Sequence, residues 1–151
     1  SNLSLQFFNK TTKRKYRALV WGIVQEDEGR IEGNIGRDPR DRMQMTVFPE
    51  GDQGKTAVTH YTVLERLGYV SLVECRLETG RTHQIRVHMT SLGHPLLGDE
   101  IYGSGKNPYH LQGQTLHAMV LGFVHPRTGE YMEFSAPLPE YFLNLLEKLR
   151  K

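Results

Sequence analysis

The chain has 151 residues, enough for one domain with its own apolar core. A hydrophobic fraction of 38% with 24% charged residues is ordinary for a soluble globular protein. The single cysteine, Cys75, excludes intramolecular disulfides and cysteine-rich zinc sites. The formal net charge of only +2 allows a nucleic-acid partner without establishing one, and no run approaches the about twenty apolar residues of a membrane span.

Residues 3–9, Leu-Ser-Leu-Gln-Phe-Phe-Asn, read as the end of a helix. Lys10, Lys13, Arg14, Lys15 and Arg17 then place five cations within eight residues, with no acid among them. Such a run is either a solvated face or a phosphate-binding strip. From Lys15 to Val24 the chain is rich in strand formers, and Asp27-Glu28-Gly29 reads as a tight turn into a second strand, Arg30 to Ile35. Gly36 to Asp41 reads as a polar loop; with Arg37, Arg40 and Arg42 it suits a hairpin tip or an arginine-bearing finger. A strand follows through Met45 to Phe48. Lys55 to Leu64 and Tyr69 to Leu77 both alternate and are expected to pair across Arg66-Leu67-Gly68, with Cys75 a buried, inert thiol.

Val73 to Leu77 leads through Thr79-Gly80 into a segment with helical spacing. Ile85, Met89 and Leu92 recur at i, i+4 and i+7 and predict one apolar face, with Thr79 or Thr82 as the cap and Gly93-His94-Pro95 as the stop. Arg81, His83, Gln84, Arg86 and His88 crowd this short segment, more donors than a purely structural helix usually carries. Residues 96–114, rich in Gly, Pro, Asn and Tyr, predict irregular structure. Leu116 to Val124 and Glu130 to Ser135 predict a hairpin about His125–Gly129. The last helix opens after Ala136-Pro137-Leu138-Pro139, with Tyr141, Leu145, Leu146 and Leu149 as its apolar stripe and Lys148, Arg150 and Lys151 suiting its C-terminal dipole. The sum is α+β: a largely antiparallel mixed sheet, a short helix after the central strand and a C-terminal helix.

Gly80-Arg81-Thr82-His83-Gln84-Ile85-Arg86-Val87-His88 resembles the signature of the RluA/RluD family of RNA pseudouridine synthases. Other segments match that family in the same order: Lys15-Tyr16-Arg17-Ala18-Leu19-Val20-Trp21-Gly22, Ile35-Gly36-Arg37, Gly54-Lys55-Thr56-Ala57, Leu116-His117-Ala118 and His125-Pro126. The resemblance implies a partial pseudouridine synthase fold over residues 1–151, with RNA (ribosomal or transfer RNA) as partner and neither metal nor organic cofactor; without an apolar span or signal peptide, a cytoplasmic setting is the default expectation. Tyr16 is implied as the ring that stacks on the target base, and Arg86 as the cation that pairs with the family's aspartate. Lys13, Arg14, Lys15, Arg17, Arg37, Lys55, Arg81 and His83 are the candidate RNA contacts, and Leu116 and His117 are candidate cleft residues.

The family's aspartate lies in a His-Arg-Leu-Asp segment upstream of the Lys-x-Tyr motif, and residues 1–15 contain no Asp. The chain therefore reads as the C-terminal portion of a catalytic domain, missing its N-terminal half and inactive alone. The alternative is a non-catalytic RNA-binding module or vestigial paralogue. Asp99 belongs to a separate Gly-His-Pro-Leu-Leu-Gly-Asp motif, so it suits a cap or an ion pair rather than the missing carboxylate. A zinc helix is disfavoured, because His83 and His88 stand about 140° apart on a helix. A Ser/His/Asp hydrolase lacks its nucleophile motif.

Overall fold

The computed structural model describes residues 13–151, so the helix expected over residues 3–9 and Lys10 of the basic run lie outside the described residues. Eight strands and two helices follow in order. They are β1 (Lys13–Trp21), β2 (Glu28–Glu32), β3 (Asn34–Asp38), β4 (Asp41–Phe48), β5 (Val58–Arg66), β6 (Val70–Leu77), α1 (Gln84–Ser91), β7 (Leu116–Val124), β8 (Tyr131–Ser135) and α2 (Glu140–Arg150). Six strands form one sheet in the order β2-β5-β6-β1-β7-β8, and β3 with β4 forms a separate two-stranded sheet. Every pairing is antiparallel, so the class is α+β as expected.

β1 comes early in the chain yet lies in the middle of the sheet, because its second half is apolar on both sides. Ala18 and Val20 point to one face, where they pack with Val73, Cys75, Ile85 and Met89. Leu19 and Trp21 point to the other, against Phe142, Leu145 and Leu146 of α2. A strand buried on both faces needs a neighbour on each edge, and β6 and β7 supply them. Cys75 lies in this first cluster, fully buried, and burial pushes its thiol up to about 12.

Three expectations are corrected here. β2 does not fold back on β1 but pairs with the outer edge of β5, since both edges of β1 are taken. After Gly22, whose φ is +87°, the chain crosses the end of β6: Ser71 Oγ donates to Gly22 O and accepts from Val24 N. The strand expected over residues 30–35 is also broken at Gly33. A Cβ there would stand 2.7 Å from Val47 Cγ1, so a larger residue would have to push that side chain aside where the chain leaves one sheet and starts the next. Beyond it, the loop expected from Gly36 belongs largely to β3, with the turn at Pro39 and Arg40.

The irregular stretch 98–114 contains no helix or strand but is pinned at its roots. Leu97 N donates to Leu19 O, Thr115 N to Leu97 O, and Leu19 N to Thr115 O. On α2 the buried face holds Leu145 and Leu146, with Leu149 packed beside them as expected, while Phe142 takes the place of Tyr141, which is half-exposed. Arg150 pairs with Glu65 of β5 and fixes the helix end. Phe142→Ala is expected to cost about 3–5 kcal/mol in urea unfolding, against less than about 0.5 kcal/mol for the exposed Leu143→Ala.

Candidate functional site

The polar residues of α1 divide into those that hold the helix and those that face a cavity. The expected amphipathic face is not what forms: residues 84–89 are all buried, and Leu92 is exposed. Gln84 makes four bonds. Its Oε1 accepts from Thr79 Oγ1 and Arg81 N, and its Nε2 donates to Val58 O and Thr59 Oγ1. His88 Nε2 lies 3.0 Å from Gly33 O, which can only accept, so Nε2 carries the proton and Nδ1 accepts from Thr59 Oγ1. These two side chains tie α1 to β5 and to the Gly33 break, which is structural work for part of the donor cluster. Neither threonine caps the helix: the N-cap position is His83, in the left-handed conformation at φ 55° and without a side-chain cap bond.

Arg86 is 7% exposed and is held by Asp99, itself 4% exposed. Arg86 Nε donates to Asp99 Oδ2 and Nη2 to Oδ1, both at 2.9 Å. Asp99 Oδ1 also accepts from Ile101 N and Tyr102 N at 3.0 Å, so Asp99 is both the ion-pair partner and the cap that its motif suggested. Burial alone would raise the Asp99 carboxyl, but the bonds from Arg86 and the two amides outweigh it and hold the group below its usual range. The same bonds raise Arg86. Tyr102 closes the cluster. Its ring lies 5.1 Å below the Arg86 guanidinium carbon, and its hydroxyl accepts from Met45 N at 2.9 Å and meets His83 Nδ1 at 2.8 Å. Burial, then the Arg86 charge, lowers the His83 pKa.

Tyr16 reaches the same place from β1. Opposite Lys15 and Tyr16 the β7 register slips from Val120 to Ala118, leaving Met119 as a bulge, a device that re-aims side chains beside functional sites. Tyr16 and Arg14 line a cavity of about 230 Å³ with Leu77, Gly80, Arg81, His83, Gln84, Ile85, Arg86, Gln114 and Leu116. Five of the residues proposed from sequence, Arg14, Tyr16, Arg81, His83 and Arg86, thus meet at one cavity, with Leu116 beside them.

The rest of the basic run does not join them. Strand alternation sends Lys13, Lys15 and Arg17 to the opposite face, where Lys13 lies 3.8 Å from Glu133 and Arg17 3.9 Å from Glu74. His117 is on that face too, with Nε2 near Ala136 O. Arg37 sits in β3, bonded to Arg42 O, and its charge reaches both His83 and Tyr102. Lys55 lies beside β3 through a bridge to Ile35, and Arg81 donates to Thr56 O. Among the described residues no group of three or more His, Cys, Asp or Glu side chains is placed to hold a metal, and no helix is long and apolar enough to cross a membrane. Sequence reasoning missed Tyr102 as part of the site; the available signal was the Asp-x-x-Tyr spacing from Asp99.

Residues 1–91 match the family model described as RNA pseudouridylate synthase. The chain belongs to this family. Among similar proteins, "Uncharacterized RNA pseudouridine synthase YlyB" of Bacillus subtilis is 58% identical over 146 residues, covering 97% of this chain and 47% of that protein. "Ribosomal large subunit pseudouridine synthase D" of Neisseria meningitidis serogroup A is 48% identical over 163 residues, covering 99% and 42%. The solved structure of human RNA pseudouridylate synthase domain containing 1 superposes with a TM-score of 0.73 at 31% identity, over 97% of this chain and 69% of that one. The chain spans about half the length of the curated synthases it matches.

Two stability predictions rest on this geometry. Asp99→Ala leaves a buried guanidinium without its carboxylate and is expected to cost about 3–5 kcal/mol in urea unfolding, with Asp99→Asn losing less. His83 and His88 have folded-state pKa values below the ordinary about 6.5, His88 through burial. The unfolded chain therefore binds more protons as pH falls, so their stability contribution is complete above about pH 6.5 and lost progressively below it. Urea midpoints at pH 7.5 and 5.5 check this, and His88→Asn should flatten the difference.

Proposed function

We propose that the chain supplies the base-stacking and carboxylate-holding side of an RNA pseudouridine synthase site, acting in the cytoplasm on uridine in structured RNA. The observation that carries this reading is the convergence of Tyr16, Arg81, His83 and Arg86 on one cavity. The name of the Neisseria relative favours ribosomal over transfer RNA as the substrate.

The reaction breaks the C1′–N1 bond of a uridine, turns the base and joins C1′ to C5; N1 gains a proton and C5 loses one. The uridine must leave its stack to be reached. Tyr16 offers a face for the flipped base, worth about 1–3 kcal/mol and tolerant of the base's orientation. The reaction needs a carboxylate at the sugar, and Asp99 is not it, since both of its oxygens are committed to Arg86 and to backbone amides. Arg86 uses its Nε–Nη2 edge on Asp99, which leaves the Nη1 side for a second carboxylate contributed from outside residues 13–151. A guanidinium suits this because it stays charged and presents donors on more than one edge. In this reading residues 1–151 form the C-terminal portion of the catalytic domain and isomerise nothing by themselves.

The test uses unmodified large-subunit ribosomal RNA and counts pseudouridine by carbodiimide labelling and primer extension. Residues 1–151 alone should form none. The full-length gene product should, and Arg86→Lys and Tyr16→Leu should each lower its rate at least about a hundredfold. Turnover by residues 1–151 alone would overturn the division of the site. Binding without turnover by the full-length product would leave an RNA-binding module in its place.

A further inference from the structure

Tyr102 sits where three parts of the molecule meet, and it was not among the residues the family signature pointed to. From the β4 side, Met45 N–H donates to its hydroxyl at 2.9 Å. From the α1 side, His83 Nδ1 lies 2.8 Å from the same oxygen, with the two rings edge to face at 76°. The Arg86 guanidinium carbon lies 5.1 Å from its ring centroid. Its own amide is bonded to Asp99 Oδ1, the oxygen that also accepts from Arg86 Nη2. The phenol is half-buried, and burial is the main cause of its raised pKa, so its proton stays on. The hydroxyl and His83 Nδ1 are hydrogen-bonded in either tautomer of the imidazole.

The consequence is mechanical. Asp99 fixes the guanidinium of Arg86 within its own plane, along one edge; a bidentate pair still leaves the plane free to tilt about that edge. The Tyr102 ring closes one face and limits the tilt. The ring can do so only if its own position is fixed, and its hydroxyl is fixed by the β4 backbone and by His83. The same hairpin, β3–β4, carries Arg37, Arg40 and Arg42.

We infer that Tyr102 is a positioning residue that ties the arginine-bearing β3–β4 hairpin to the aim of the Arg86 guanidinium, so that seating the hairpin on RNA and aligning Arg86 are one event. The inference rests on the proposed function, because it assigns Arg86 to the reaction.

The decisive variant is Tyr102→Phe, which keeps the ring under Arg86 and removes only the hydroxyl. In the full-length gene product acting on unmodified large-subunit ribosomal RNA, kcat is expected to fall about tenfold while KM stays within about twofold. Amide hydrogen exchange on residues 1–151 gives a second readout independent of activity. Met45 N–H should exchange at least about tenfold faster in the variant while the amides of β5 and β6 are unchanged. A kcat within about twofold of wild type, a loss confined to KM, or an unchanged Met45 rate would each overturn the inference. If the wild-type protein forms no pseudouridine, the functional reading itself fails and this one falls with it, an outcome distinct from an active wild type with an equally active variant. Should Tyr102→Phe lose the β5 and β6 protection as well, the residue is a fold element and the positioning role is refuted.

Discussion

The bidentate pair between Arg86 and Asp99 is the constraint on which the site depends. Two opposite charges, nine-tenths or more buried, are tolerable only when they are paired with each other, because removing an ion from water costs several kcal/mol before any partner repays it. The chain meets that condition by bringing α1 and the loop after it to one point. Asp99 takes two bonds from Arg86 and two from the first turn of its own loop. The irregular stretch 98–114 is thus ordered at its start by a charge and at both roots by hydrogen bonds to β1. Without the arginine, nothing on α1 would hold Asp99 in place.

A second constraint passes through α1. Eight residues are too few for a helix to persist on propensity alone. This one is held by side chains that run sideways from it: Gln84 to β5, His88 to Thr59 and to the carbonyl of Gly33. The His88 bond explains why the break between β2 and β3 falls where it does. Gly33 is the one residue that can both pass Val47 without a Cβ and turn its carbonyl to the imidazole. The hairpin bearing Arg37 is thereby placed over the same helix that carries Arg86.

Much of this was legible in the sequence, and the misses have physical causes. Strands with apolar alternation, such as Val58–Arg66 and Val70–Leu77, declared themselves, and Tyr16 and Arg86, singled out by their motifs, line one cavity. What periodicity could not show was partner choice. Nothing local in Glu28–Glu32 says that it will join β5 rather than β1; that follows only once β1 is known to be buried on both faces. The reading of α1 as amphipathic failed for a related reason. Its polar residues are buried because they are bonded, and a pattern of hydrophobicity treats a buried, satisfied Gln84 or His88 as a solvent-facing residue. A strand splits consecutive residues between two faces, so among the described residues of the basic run only Arg14 lines the cavity with Tyr16.

The pairing of Arg86 with Asp99 also shapes what the arginine can do for a further carboxylate. A lone buried guanidinium would attract any acid by net charge and depress its pKa strongly. Here the charge is already balanced by Asp99, so a second carboxylate would meet directed N–H donors on a neutral pair rather than an unshared cation. Its affinity would then depend on geometry more than on long-range attraction. Such an acid would be held in place and kept ionised without being stabilised so far that it loses its reactivity at the sugar. Geometry-dependent holding makes orientation the controlling quantity, and orientation is what Tyr102 below the guanidinium and Asp99 along its edge together define. In the proposed site the same two bonds would serve both fold and chemistry: they neutralise the interior, and they would make Arg86 an aimed donor rather than an electrostatic attractor.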